Sequence, residues 1–453
     1  MILLKNCFYL VRHADDPGSS GVDLLIEGHR ISRIADEIEA PGEARVIDAS
    51  RCVVIPGLVN THHHFYQTLT RNLPAVQNAK LFDWLVYLYE VWKHVDREAI
   101  YWSTLLATAE LLKTGCTTAT DHHYLYPRGV AADIMGTQFE AAGETGIRFS
   151  PTRGSMSLSR KDGGLPPDSV VQTEAEIFRD SERVIDAYHD GGELSMRKVA
   201  LAPCSPFSVS EASLKDTAAL ARDRGVLLHT HLAETVDEND YCLQTAGVRP
   251  LALMERCGFV GPDVFFAHGI HFDDAELETL AATGSHIAHC PTSNMRLASG
   301  ICRVPEMLGS GINVGLGVDG SASNDTSDML GEVRNAMLLQ RVTKGADALT
   351  ARDVFRMGTE NGAKLLNFPG VGRLEEGWAA DIALFDLHKL EYAGALSDPL
   401  GALIFSGYNH GTAWTIVNGK VVVEAGRLVG VDEEELVREA NRAASRLYRE
   451  AGI

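Results

Sequence analysis

The sequence predicts an α/β fold: a (β/α)₈ TIM-like barrel with a small β-sandwich domain formed by the N- and C-terminal segments. Three observations predict it. Eight short apolar segments alternate with longer stretches of helical character through the middle of the chain; strands alternating with helices pair in parallel, and eight such units close a barrel. Each of the eight ends in His, Asp, Arg, Cys, Glu or Asn, at the strand end where this fold gathers its chemistry. Short β-type runs separated by turn residues occupy both ends of the chain.

In chain order, VDLLIEG, RISRIADEI and ARVIDASRCVVIPG read as strands within the first 55 residues, and DIALFDL (381–387) and AWTIVNGKVVVEAGRLVG (413–430) resume the pattern. Residues 1–55 with 366–430 are therefore expected to form the small domain, 56–365 the barrel and 431–453 a C-terminal helix. The barrel strands are expected in VVIPGLVNTHHH (53–64), TGCTTATDHH (114–123), GIRFSPTRG (146–154), VALAPCSPFS (199–208), GVLLHTHLAE (225–234), VFFAHG (264–269), HIAHCPTSN (286–294) and INVGLGVDG (312–320). Among the helices, REAIYWSTLLATAELLKTG has apolar residues at helical spacing and stops at Gly115. DEEELVREANRAASRLYRE places acids in its first turn and reads as a surface helix. SMSLSRKDGGLPPDS (155–169), just after the third strand, is the clearest long loop and the expected place for a substrate lid.

Composition narrows the function. Hydrophobic residues at 45% and charged residues at 23% are ordinary for a folded soluble chain. The net charge of −20, from 61 acids against 41 bases scattered without a basic patch, repels polyanions, so no nucleic-acid partner is expected. Eight cysteines lie singly, without a CxxC pair, and read as reduced thiols. The start MILLKNCFYLVRHADD is interrupted by Lys5 and Arg12 and shows no leader pattern. No apolar run reaches the roughly 20 residues that span a bilayer. No membrane is expected, and the cytoplasm is the expected compartment.

Successive side chains of a strand point to opposite faces, so in NTHHHFYQTLTRN His62 and His64 share one face and His63 takes the other. An HxH pair at a strand end can grip one ion; alone, it reads better as hydrogen-bonded core or surface polar groups. The spacing recurs in HTHLAE, with His229 and His231 on a strand and Glu234 just beyond. Asp319 ends strand eight in LGVDGSASND, where small residues let the backbone approach a ligand. Two imidazoles from strand one, a third from strand five and a carboxylate from strand eight converge at the top of a barrel. Such a donor set suits zinc with one position left open. The other zinc deaminase pattern, H-x-E with P-C-x-x-C, is excluded because PCSP at 203–206 lacks the second cysteine.

Together, PGLVNTHHH, HLAE, the histidine ending strand six in FAHG, and GVDGSASND resemble the amidohydrolase superfamily in its branch of one-metal aminohydrolases acting on heterocycles. The resemblance covers essentially the whole chain. It implies His62, His64, His231 and Asp319 as ligands of one divalent ion, Zn²⁺ first and Fe²⁺ as the alternative. Glu234 becomes the proton shuttle, His268 the partner of the metal-bound water, Asp319 also a proton acceptor and His229 a supporting residue. VALAPCS lacks the strand-four lysine that bridges two ions in binuclear relatives, which favours one metal. The implied reaction replaces an exocyclic amine on a small heterocycle by a carbonyl and releases ammonia. A homo-oligomer is also implied.

NLPAVQNAKLFDWL (72–85), RGSMSLSRKDGGLPPDSVV (153–171), APCSPFSVS (202–210) and SNMRLASG (293–300) are similar to the 8-oxoguanine deaminases of this superfamily, which form urate. Aminohydrolases of hydroxyatrazine, guanine and pterins such as isoxanthopterin are the neighbouring alternatives, followed by cyclic-amide hydrolases. Gln67 is expected to contact the ring, and Arg153, Cys204 and Trp84 to line its pocket. His122, His123, His271, His286 and His289 read as structural or supporting side chains.

Overall fold

The computed structural model describes residues 1–130, 133–406 and 410–453. Barrel strands one and two are Leu58–Asn60 and Cys116–Ala119, the second resuming at His122–His123; strand three comes as Arg148–Phe149 and Thr152–Ser155. Ala200–Pro203, Leu227–Leu232, Val264–His268, His286–His289 and Val314–Leu316 are strands four to eight. All neighbours pair in parallel, and Leu316 opposite Asn60 joins strand eight to strand one, closing the ring. Strands buried on both faces must be apolar almost throughout, which is why Leu228, Val264, Phe266, Ile287, Val314 and Leu316 share one core with the surrounding helices.

The segment expected as one first strand is two. Cys52–Pro56 pairs antiparallel with Ile382–Asp386 in a six-stranded sheet, and the chain enters the barrel only at Leu58. That sheet faces a four-stranded sheet of Arg30–Ala35, Val22–Glu27, Ile2–Cys7 and Arg45–Asp48. Leu4, Leu24, Ile26, Ile47, Val54, Ile382 and Ile416 fill the space between them. Sandwich and barrel are tied by a buried ion pair: the Arg148 guanidinium donates to Asp381 at 2.9 and 3.2 Å and to the Leu194 carbonyl at 2.7 Å.

Two expectations about the upper face change. The cavity there is walled by the α-helix Leu81–Trp92, and loop 155–169 lies against that helix without lining the cavity. Met156 packs on Tyr89, and Arg160 donates to the Val86 carbonyl at 3.3 Å and pairs with Glu90. Asp83 and Val86 are exposed on this helix while Leu81, Trp84, Leu85 and Leu88 are buried, so it reads as an ordinary amphipathic helix with nothing to mark it as a cover. The C-terminal helix Glu433–Ala451, capped by Asp432, is more than a surface helix. Its Ala440, Ala443 and Leu447 pack into the cluster of Tyr66, Leu69, Trp84 and Trp92, and the Tyr448 hydroxyl donates to the Leu69 carbonyl at 2.9 Å. All eight cysteines are buried thiols. Among the described residues, no helix is long and apolar enough to cross a membrane.

Candidate metal centre and active site

His62 and His64 follow strand one directly, and the structure turns both rings into the barrel mouth. His63 faces away: its Nδ1 accepts the His64 N–H at 2.8 Å and its Nε2 meets Ser327 Oγ at 3.0 Å. His64 Nε2 lies 3.1 Å from His231 Nε2 and 3.2 Å from Asp319 Oδ1, and His62 Nε2 lies 3.4 Å from the same oxygen. Ligand atoms about 2.0–2.1 Å from a tetrahedral zinc sit about 3.3–3.4 Å apart, close to these separations.

Hydrogen bonds on the far side of each ring decide which nitrogen carries the proton. His64 Nδ1–H donates to the His122 carbonyl at 2.7 Å, and His231 Nδ1–H to the Cys204 carbonyl at 2.6 Å. For His62 the instruction passes through a second ring. His229 Nδ1–H donates to the Phe265 carbonyl at 2.8 Å, so His229 Nε2 accepts from His62 Nδ1–H at 2.9 Å. All three Nε2 atoms therefore present lone pairs to one point. His62 Nε2 is buried without a hydrogen-bond partner, and two facing acceptors 3.1 Å apart repel unless a cation lies between them. Burial drives the His62 imidazole down to about 4 and the His231 imidazole well below its usual value, so neither takes up a competing proton at neutral pH. Burial would raise the Asp319 carboxyl, but its contacts with His62 and His64 hold it well below the ordinary range. The donor set fits a divalent cation.

Opposite these donors, burial raises the Glu234 carboxyl above its ordinary value. Its Oε2 is 3.6 Å from His268 Nε2, and its Oε1 accepts from Ser299 Oγ at 3.4 Å. Asn294 Oδ1 accepts the His268 Nδ1–H at 3.0 Å, which leaves His268 Nε2 as an acceptor toward the cavity. Ser323 donates to Asp319 Oδ2 at 3.3 Å. Three non-glycine residues here, Ala233, His268 and Asp319, adopt left-handed backbone with φ of 54°, 72° and 63°. Such conformations cost about 1–3 kcal/mol each and collect at functional sites.

The donors and Glu234 open into a cavity with about 480 Å³ of empty space, part of it open to solvent, walled by Leu81, Trp84, Leu85, Phe207 and Leu297. Gln67 lies in the 3₁₀ helix Phe65–Thr70 and reaches this cavity, its Oε1 buried and unpartnered. Gly320 makes that possible, because a Cβ there would fall 1.9 Å from Gln67 Oε1. Trp84 lines the wall with its buried indole N–H unpartnered, and Cys204 lines it as a thiol that burial pushes up to about 12.

Arg153 does not belong to this group. It points out of the barrel, donating to Asp180 at 2.9 Å and Gln172 at 2.8 Å and stacking 3.9 Å from the Tyr126 ring. Strand parity sends neighbours to opposite faces, and the inward position beside it is Gly154. Sequence reasoning missed Tyr124, Ser205 and Ser323 in the lining, Asn294 behind His268, and Glu238. Only Glu238 had a signal, the T-x-x-E pattern of a helix start in ETVDE.

Residues 53–422 match the profile of the amidohydrolase family. The chain is 46% identical over 434 residues, 94% of each protein, to an 8-oxoguanine deaminase of Pseudomonas aeruginosa. It is 38% identical over 436 residues, 93% of this chain and 90% of the relative, to a hydroxydechloroatrazine ethylaminohydrolase of a Pseudomonas species. Its backbone superposes on the zinc complex of atrazine chlorohydrolase from Arthrobacter aurescens with a TM-score of 0.93 at 30% identity, covering 98% of this chain and 100% of that one. A profile that runs from the strand leading into the His62–His64 pair to beyond the last barrel helix takes in the whole donor set, and the chain belongs to the amidohydrolase family.

Proposed function

We propose that the protein deaminates a free purine-like heterocycle by hydrolysis, with 8-oxoguanine as the first substrate, giving urate and ammonia. The observation that supports this most is the pairing of an acceptor-only donor set with a raised carboxyl, Glu234, across a narrow apolar-walled cavity. The 46% identity to an 8-oxoguanine deaminase supports the choice of ring.

Nε2 of His62, His64 and His231 with Oδ1 of Asp319 would hold one divalent ion, Zn²⁺ by the softness and number of the donors. When bound, that ion supplies Lewis-acid activation of a water at neutral pH. Asp319 Oδ2, steadied by Ser323, takes the proton that the attacking water gives up. His268 Nε2, fixed as an acceptor by Asn294, orients that water toward the amine-bearing carbon. Glu234, whose neutral form burial favours, acts as the acid and gives its proton to the ring nitrogen beside the attacked carbon. Now a carboxylate, Glu234 takes the remaining hydroxyl proton of the adduct and passes it to the leaving amine, so that ammonia departs as the C=O forms; the proton held by Asp319 returns through water to reset Glu234. The Gln67 carboxamide and the Trp84 indole N–H offer an unpaired acceptor and an unpaired donor to the edge of the ring, while Leu81, Leu85 and Leu297 exclude bulk water. We assign the protein to the cytoplasm and expect a homo-oligomer.

The test is ammonia release by purified protein with its metal content counted, on 8-oxoguanine, guanine, isoxanthopterin, cytosine and hydroxyatrazine. Turnover of 8-oxoguanine above the others is expected; no ammonia from any aminated ring overturns the deaminase reading.

A further inference from the structure

Glu238 lies on the first turn of the helix Val236–Ala246, is 1% exposed and borders the same cavity as Glu234, yet no step above uses it. In an ordinary capping box its side chain would return to the N–H of the cap residue, Thr235. It reaches further back instead. Glu238 Oε1 accepts the Ala233 N–H at 2.9 Å and Oε2 accepts the Glu234 N–H at 3.1 Å. The Ala233 peptide is also held from its other end, since its carbonyl accepts the N–H groups of Ile270 and His271, both at 2.9 Å. Next to it, Gly269 N–H donates to the Leu232 carbonyl at 3.1 Å. The turn that presents Glu234 is thus stitched to the turn that presents His268, and both turns contain a left-handed non-glycine residue, Ala233 and His268.

We propose that Glu238 is the positioning residue that holds Glu234 at its working distance from His268, by clamping both amides of the left-handed turn at Ala233–Glu234. This rests on the reading of Glu234 as proton shuttle. The side-chain chemistry is specific. Two converging N–H donors need two acceptor oxygens on one rigid group, which a carboxylate offers and a carboxamide does not: Glu238→Gln would set an N–H against a backbone N–H and leave one of the two amides unpaired. Aspartate is one methylene shorter and cannot span both amides from the same helix position. Serine or threonine has a single oxygen. No other acceptor side chain bonds to these two amides among the described residues.

The experiment is a double-mutant cycle, with Glu238→Gln made in the wild-type and Glu234→Gln backgrounds. Glu238→Gln alone is expected to lower kcat about 10–100-fold, with KM within about threefold and metal content unchanged. In the Glu234→Gln background it should lower kcat by less than about twofold, because a residue that acts only through Glu234 has nothing left to position. Glu238→Asp, which cannot span both amides, is expected to lower kcat in the wild-type background as well, and it replaces Glu238→Gln in the cycle if the latter does not fold. Equal losses in both backgrounds, or no loss in either, overturn the proposal. Amide hydrogen exchange gives a reading independent of substrate: faster exchange at Ala233 and Glu234 in Glu238→Gln is expected, and unchanged exchange overturns the clamp. If the wild type releases no ammonia from any ring, the deaminase reading fails while exchange still decides the clamp.

Discussion

At the sandwich end of the barrel the Arg148 guanidinium is fully buried and satisfied by Asp381, Asn418 and the carbonyls of Leu194 and Ser195. At the opposite end His62 Nε2, Gln67 Oε1 and Trp84 Nε1 are as deeply buried and meet no partner within the protein. The backbone does not share that contrast: Ala233, His268 and Asp319 are left-handed at the upper end, and Leu194 and Asn418, both partners of Arg148, at the lower. The lower end buries charge to join barrel and sandwich, and the Arg148–Asp381 pair there is fully partnered. The upper end leaves acceptors and donors without partners inside the chain. Removing a side chain should therefore cost stability below and activity above.

The largest effect is expected from emptying the donor set. Chelation, or His231→Ala, should take activity to background and metal from about one ion per chain to about none. The melting temperature of the metal-free chain should hold or rise in His231→Ala, because one of two facing lone pairs is gone; a fall in that temperature would break the contrast. Next, Glu234→Gln should lower kcat about 10²–10⁴-fold without loss of thermal stability, read by steady-state kinetics and calorimetry. At the lower end, Arg148→Met leaves the buried Asp381 carboxylate without its counter-charge, a loss of about 3–5 kcal/mol in urea unfolding, with kcat per folded molecule unchanged. A kcat that fell with Arg148→Met would mean the two ends are coupled.

The smallest effect sharpens the comparison. Glu332 is buried beneath the rim, accepts from Thr292 N–H at 3.2 Å and Asn324 Nδ2 at 2.7 Å, and burial pushes its carboxyl from 4.5 up to about 8. The folded chain then holds a proton that the unfolded chain gives up at about 4.5, so this group's contribution is full below that pH and is lost as pH rises toward 8. Glu332→Gln should flatten the fall in melting temperature across that window. An unchanged slope would place the titration elsewhere.

The sequence carried the strand ends clearly, because period-two spacing alone sends His62 and His64 to one face and His63 to the other. Asp319 and His268 were legible as the last residues of apolar runs. Arg153 was misplaced for the same physical reason that His62 was placed correctly: parity decides the face, and nothing in RFSPTRG marks which parity faces inward across the break between Phe149 and Thr152. The cover over the cavity was assigned to the polar loop 155–169 because loops are expected to cover sites; the helix that walls the cavity, Leu81–Trp92, has an ordinary amphipathic pattern, with Asp83 and Val86 exposed and Trp84, Leu85 and Leu88 buried, which does not tell a cavity wall from core packing. Glu238 stayed hidden because its pattern reads as an ordinary helix cap, and only the backbone path shows which amides it reaches.

The join between sandwich and barrel also sets an order in time. Cys52–Pro56 finds its antiparallel partner only when Ile382–Asp386 has been made, and Leu58–Asn60 completes its side of the ring only when Val314–Leu316 exists. At about 5–20 residues per second of synthesis, the segment carrying His62 and His64 spends roughly ten seconds or more exposed to the cell before Asp319 follows it. During that interval His62 and His64 are without Asp319, so the four side chains of the candidate metal centre come together only when the ring closes.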